Sequence, residues 1–206
     1  TGDAEEAPYV AMTLRLAAGF PRRGGDVDID RLNSLVVTTS LTHDEVAVVR
    51  ALGRYLPQLD PTVHPGPVMD ALSANPETAA ALWAHLVARF GPAAGDDATT
   101  DLEGQARAAA CCDAVVRLDH DRLLRALLLL VGAMVRTNAW APDRDRTLVM
   151  KFDGTHMDGL GNRPAWREVW VSGPEVEGVH LRAGPIARGG LRWSDRPDDV
   201  RTEVLA

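Results

Sequence analysis

Residues 184–195 read G-P-I-A-R-G-G-L-R-W-S-D, so Gly189 and Gly190 stand between Arg188 and Arg192. A tight turn needs no arginines, and a solvated charge run needs no glycines. Together they describe a backbone stripped of side chains that a ligand can approach closely, with a forked guanidinium on either side to hold an anion such as a carboxylate. The competing description is a glycine turn whose arginines are solvated and paired with Asp195, Asp198 or Asp199. The local pattern places the element as a loop between a strand and a helix that has Pro197 near its start. A helix N-terminus would add free amides and a favourable dipole for an anion. The motif is not a dinucleotide fingerprint, and neither is G-L-G-N at 159–162.

Little else in the chain is arranged for chemistry. His43, His64, His85, His120, His156 and His180 are scattered without metal-ligand spacing, so no metal site is expected. Cys111 and Cys112 are neighbours and can form no disulfide framework. They read as two small buried residues on a helix, with a vicinal redox pair as the alternative. Either reading suits a reducing, cytoplasmic setting. Trp166, Trp170 and Trp193 read as core or interface residues, and no Ser/His/Asp nucleophile arrangement is found.

The elements that must position the Arg/Gly stretch change character along the chain. Asp30 to Ser40 reads as a short helix with Leu32, Leu35 and Val36 on one face. Thr42-His43-Asp44-Glu45 has the form of a capping box. Val46, Val49, Leu52, Gly53 and Leu56 follow at helical spacing, and Pro57 and Pro61 are expected to close that helix. Asn75-Pro76 starts another, with Leu82, Trp83, Leu86, Val87 and Phe90 periodic and Gly91-Pro92 as its end. A further helix is expected over about 101–117. The longest is expected from a cap at Asp119 to about Thr137, with Leu118 and Leu123 at staple spacing. After Trp140 the period shortens. Strands are expected over 147–153 (T-L-V-M-K-F-D), over 166–172 (W-R-E-V-W-V-S) and over Glu177 to Ala183, the last with Val179 and Leu181 on one face and His180 and Arg182 on the other. Residues 9–20 fit either a strand or a short helix.

Totals bound the function. With 206 residues, 46% hydrophobic and 25% charged, the composition is globular. A formal net charge of −7 argues against a general nucleic-acid binder, which would carry a basic face. The most apolar run, Ala126 to Val135, is shorter than the ~20 residues a bilayer span requires, so no membrane partner is expected. The chain opens on Thr1, with no signal peptide in T-G-D-A-E-E-A-P, and the closing pattern D-D-V-R-T-E-V-L-A is helical but uncapped. The expectation is a piece of a longer protein.

The stretch V-E-G-V-H-L-R-A-G-P-I-A-R-G-G-L-R-W-S-D-R-P-D-D-V-R-T-E-V-L resembles the start of the catalytic region in the large NAD-specific glutamate dehydrogenases. The likeness is dense from about Trp166 to Ala206 and looser through 30–150, where it includes R-T-N at 136–138 and K-F-D at 151–153. The resemblance implies an α+β chain: a helical array followed by the first strands of a truncated glutamate-dehydrogenase-like substrate domain. It implies three segments, with residues 1–27 ending a preceding regulatory-type segment, 28–140 helical, and 141–206 opening the catalytic substrate domain. The parent reaction would be the NAD-dependent oxidative deamination of glutamate to 2-oxoglutarate and ammonium, in a homo-oligomer. The smaller enzymes carry a K-G-G-x-R element whose lysine is implied to hold the substrate's side-chain carboxylate. Here Arg188 stands at that place, as in the large enzymes, with Gly189, Gly190 and Arg192 as the rest of a substrate-binding set. The family's proton-transferring lysine and NAD-binding fold lie beyond residue 206, so no catalytic or cofactor residue is assigned here. Two other readings stay open: a non-enzymatic helical scaffold for assembly or effector binding, and an anion- or phosphate-binding element at 184–198 unrelated to glutamate.

Overall fold

The computed structural model describes residues 30–95, 98–142, 147–160, 165–173, 176–182 and 187–193. Expectations for 1–27, for residues 9–20 and for a helix after Pro197 lie outside the described residues.

A 3₁₀ turn, Arg31–Ser34, opens the fold and runs into α1, Leu35–Thr38. The Asp30 carboxylate caps the turn at the Leu32 amide, 2.9 Å away, and accepts two hydrogen bonds from the buried Arg50 guanidinium. Leu32, Leu35 and Val36 are all buried, as their spacing implied. The next helix, α2, spans His43–Leu59 and begins with the anticipated capping box. The Glu45 amide donates to the Thr42 hydroxyl at 3.4 Å, and the Glu45 carboxylate accepts from the Thr42 amide at 2.6 Å. Four helices follow: α3 (Pro65–Ala74), α4 (Pro76–Phe90), α5 (Ala98–Asp113) and α6 (Leu118–Ala133).

The second layer is a five-stranded antiparallel meander in sequence order: β1 (Met134–Thr137), β2 (Leu148–Asp153), β3 (Arg167–Ser172), β4 (Val176–Arg182) and β5 (Ala187–Trp193). The molecule is therefore α+β, with the helices preceding the sheet apart from one 3₁₀ turn, Gly154–His156. Alternation divides the sheet sharply. Met150, Phe152, Trp170, Val179 and Leu181 are buried on the helix-packed face, while Lys151, His180 and Arg182 are exposed on the other. α2 docks on the inner face through Tyr55, whose ring stacks on Phe152 at 4.6 Å and on Trp170 at 5.5 Å. The Trp170 indole N–H donates to the Ala51 carbonyl at 3.1 Å. Helices and sheet thus share one hydrophobic core.

Two motifs in the looser part of the resemblance act as local fasteners. Asn138, in R-T-N, accepts from the Val149 amide at 2.8 Å and donates to the Thr147 carbonyl at 2.9 Å, which clamps the β1–β2 connection. Asp153, in K-F-D, accepts from the Thr155 amide and hydroxyl at 3.1 and 2.6 Å and pairs with Arg167 at 2.6 Å. The Thr155 hydroxyl is the main reason its carboxyl lies below the usual carboxylate range.

Several local expectations are corrected. Pro57 does not close α2, which continues to Leu59. At this position the proline costs only a bond of the last turn. Helix α3 has no counterpart among the expected elements. Its P-G-P opening at 65–67 is compatible with a helix because prolines in a first turn remove no hydrogen bond the helix needs. Asn75 sits at the N-cap of α4 without capping by its side chain. Its amide instead donates to the Ala71 carbonyl and lies 3.1 Å from His120 Nδ1. The cap position of α6 is Arg117, and Asp119 lies inside the helix with its carboxylate held by Arg117 at 2.6 Å; Leu118 is 81% exposed and staples nothing. α6 ends at Ala133, and α2 is one residue longer. Residues 134–137 leave the helical run to pair with β2, an antiparallel ladder that a local pattern could not reveal.

Candidate functional site

The Arg/Gly stretch is not a loop: Ala187–Trp193 forms β5, paired along its length with β4. Arg188 pairs with Leu181, Gly189 with His180, Gly190 with Val179 and Arg192 with Glu177. Glycine is a poor strand former, so nothing local announced this. The strand is specified by its partner, β4, whose own residues alternate cleanly. Among the described residues β5 pairs on one side only, as the last strand of the sheet. Gly189 and Gly190 therefore present main chain without side chains next to an edge.

The register also sorts the four predicted residues by face. Arg188, Gly190 and Arg192 occupy positions shared with Leu181, Val179 and Glu177, the helix-packed face. Gly189 occupies the position shared with exposed His180. The structure brings the four together on one strand.

The inner face beside this strand holds a buried polar group that the sequence reading missed. Three continuous cross-strand rows cover it. They run Leu148–Ser172–Glu177–Arg192, Met150–Trp170–Val179–Gly190 and Phe152–Glu168–Leu181–Arg188. Glu168 is wholly buried and Glu177 is 4% exposed. A buried carboxylate needs charge-assisted partners. Glu168 accepts from the Tyr55 hydroxyl at 2.5 Å and from the Ala165 amide at 3.2 Å. Arg54 reaches Glu177 with an N···O distance of 3.4 Å. Tyr55 and Arg54 are consecutive residues in the last turns of α2, so that one helix positions both contacts. The missed signal was parity. In R-E-V-W-V-S, Glu168 has the same parity as Trp170 and turns inward with it.

Elsewhere, two histidines are buried in the helical layer. His85 is 1% exposed and its Nε2 lies 2.8 Å from an Asp101 carboxylate oxygen. Burial lowers its pKa from the ordinary 6.5 despite that carboxylate. His43 is lowered as well, by burial first and then by the Arg50 charge. Cys112 is fully buried, and burial pushes its thiol pKa up, whereas Cys111 is partly exposed; both are free. Among the described residues no group of three His, Cys, Asp or Glu is placed to hold a metal ion. Among them, too, no helix is long and apolar enough to cross a membrane.

Comparison with known proteins supplies the family. Residues 107–206 match the bacterial NAD-glutamate dehydrogenase catalytic domain, and residues 27–92 match glutamate dehydrogenase helical motif 3. The NAD-specific glutamate dehydrogenase of Mycobacterium tuberculosis is 43% identical over 213 residues, covering 97% of this chain and 13% of that protein. The proteins of the same name from Halomonas elongata and Pseudomonas aeruginosa are 37% and 39% identical, covering 96% and 88% of this chain and 12% of each of those proteins. The chain thus spans about an eighth of the length of the curated relatives it matches. With helical motif 3 and the catalytic domain matched in chain order, and three relatives of one name matched over most of its length, this chain belongs to the NAD-specific glutamate dehydrogenases, as the stretch where a helical motif leads into the catalytic domain.

Proposed function

We propose that this chain contributes part of the substrate pocket of an NAD-dependent glutamate dehydrogenase. The parent reaction converts glutamate, NAD⁺ and water to 2-oxoglutarate, NADH, ammonium and a proton. In this reading Arg188 anchors a substrate carboxylate by a forked, charge-assisted contact. Gly189 and Gly190 let the substrate lie against bare main chain, and Arg192 is a second anchor or a brace. The observation that carries the reading is the Arg-Gly-Gly element on a strand that, among the described residues, pairs on one side only, which leaves main-chain groups for a ligand. Glu177, directly across from position 192, favours the brace role for Arg192.

When bound, the nicotinamide supplies the hydride-accepting chemistry, and the residues of this chain contribute binding and orientation alone. No described element carries a dinucleotide fingerprint, and the reading leaves NAD to sequence beyond residue 206. Residues 28–140 would then act as the supporting helical layer and 141–206 as the opening of the substrate domain, in a cytoplasmic homo-oligomer whose ligand is glutamate or 2-oxoglutarate. Residues 1–27 would close the preceding segment. The helical layer would also brace the strands, since α2 supplies groups that hold the buried carboxylates of β3 and β4.

The test is direct. A full-length enzyme containing this chain should form NADH from glutamate and NAD⁺, and the 206-residue chain alone should form none. NADH formation by the isolated chain, or none by the full-length enzyme, overturns the proposal.

A further inference from the structure

The open face of the sheet carries a second arrangement of cations, distinct from the Arg/Gly positions on the inner face. One cross-strand row runs Arg136–Lys151–Val169–His180–Gly189. The neighbouring row runs Asp153–Arg167–Arg182–Ala187. Two like-charge pairs therefore stand directly across from each other, Arg136 with Lys151 and Arg167 with Arg182, an arrangement that destabilises a sheet. Asp153 relieves one of them by pairing with Arg167. Among the described residues nothing relieves the other: Arg136 and Lys151 are both exposed and neither has an ion-pair partner. This concentration of positive charge lies on a chain of net charge −7.

Residue choice at the centre of the patch is also singular. Of the 22 lysines and arginines in the chain, Lys151 is the one lysine. Arginine is the chain's default cation, so a lysine here marks a position suited to a compact ammonium rather than a planar fork. Directly opposed side chains on adjacent strands have Cβ atoms ~5 Å apart, and the carboxylate groups of a five-carbon dicarboxylate have a similar separation. A dicarboxylate can set one carboxylate on each cation, whereas a monocarboxylate must share its two oxygens between them. The row ends at Gly189, whose lack of a side chain leaves the surface beside His180 unobstructed at that position.

We propose that Arg136 and Lys151, with His180 along the same row, form a binding site for a short α,ω-dicarboxylate on the open face of the sheet. The inference deepens the proposed function, and rests on it for the choice of five-carbon ligands. It assigns the substrate class a contact surface separate from Arg188.

The single lysine makes the test clean. The chain has two amines, the Lys151 side chain and its own α-amino group, which serves as internal reference. Acetylation of each by an amine-reactive ester is followed by mass spectrometry with and without glutarate. At about 20 mM glutarate, a site with a dissociation constant of ~10 mM should slow Lys151 modification about threefold, following 1 + [L]/Kd, and leave the α-amine unaffected. Acetate at equal carboxylate concentration should protect far less. Arg136→Gln, an exposed substitution that spares the fold, should abolish the protection by glutarate. Unchanged Lys151 reactivity with glutarate, equal protection by acetate, or full protection in Arg136→Gln would each overturn the site. These outcomes are separate from the parent reading. If glutarate fails to protect while Arg188→Ala impairs glutamate turnover in the full-length enzyme, this inference falls and the proposed function stands. If glutarate protects while Arg188→Ala has no effect, the Arg188 role falls and the open-face site stands.

Discussion

Removing the Tyr55 hydroxyl probes the junction between the helical layer and the sheet. Tyr55→Phe keeps the ring that stacks on Phe152 and Trp170 and deletes only the donor to Glu168. Glu168 is wholly buried, so water cannot replace that donor without opening the α2–sheet contact. The Ala165 amide, at 3.2 Å, still serves the other carboxylate oxygen, so the charge is not orphaned. A hydrogen bond to a charged group contributes about 1.5–3 kcal/mol, and that range is the expected destabilisation. For a chain of this size each kcal/mol lowers Tm by about 2–4 °C, which gives a fall of roughly 3–12 °C. The assay is urea and thermal unfolding followed by circular dichroism. In a Glu168→Gln background the acceptor is neutral, and Tyr55→Phe should then cost about 1 kcal/mol or less. A loss under about 0.5 kcal/mol in the parent background, or an equal loss in both backgrounds, would refute the idea that this charge-assisted bond ties α2 to the sheet.

Three further outcomes follow from the geometry. His85 and His43 both have folded-state pKa values below 6.5, so the unfolded chain binds more protons than the folded one just below that pH. Their contribution to stability is therefore full above pH 7 and declines as pH falls through 6.5 toward the folded values. Urea midpoints should drop between about pH 7.5 and 5.5, a window above the carboxylate range, and a flat profile there would contradict the assignment. A Cβ on Gly154 would lie 1.5 Å from the Ala165 carbonyl oxygen, a backbone atom that cannot rotate away. Gly154→Ala should thus destabilise by at least the ~1–3 kcal/mol of ordinary overpacking, and unchanged stability would show that the 3₁₀ turn and the β3 approach are not so close. The buried thiol of Cys112, its pKa raised by burial, should react with a disulfide reagent only on unfolding, while Cys111 reacts in the folded chain; equal rates would contradict the packing of α5.

What could be read from the sequence was whatever local chemistry alone decides. The Thr42–Glu45 box, the faces of Leu32, Leu35 and Val36, and the strands around Met150 and Val179 depend on neighbours within a few residues. What escaped depends on partners far along the chain. Residues 134–137 have the composition of a helix end and become a strand because β2 pairs with them. Ala187–Trp193 has the composition of a loop and becomes a strand because β4 pairs with it. Glu168 is an acidic residue buried in a strand, and its donor, Tyr55, lies 113 positions away. The family likeness singled out Arg188, Gly189, Gly190 and Arg192, but it did not indicate that they lie along a strand or that position 192 pairs across from buried Glu177.

Arg188 is the residue on which the pocket reading rests most directly. In the full-length enzyme, Arg188→Ala should remove a charge-assisted carboxylate contact worth roughly 1.5–3 kcal/mol, a ten- to hundred-fold loss in kcat/KM for glutamate at ~1.4 kcal/mol per decade. Arg188→Lys should recover part of it by keeping the charge without the fork. A kcat/KM for Arg188→Ala within about twofold of the parent enzyme, well inside one decade, would contradict the anchor role and leave the Arg/Gly strand as a structural edge.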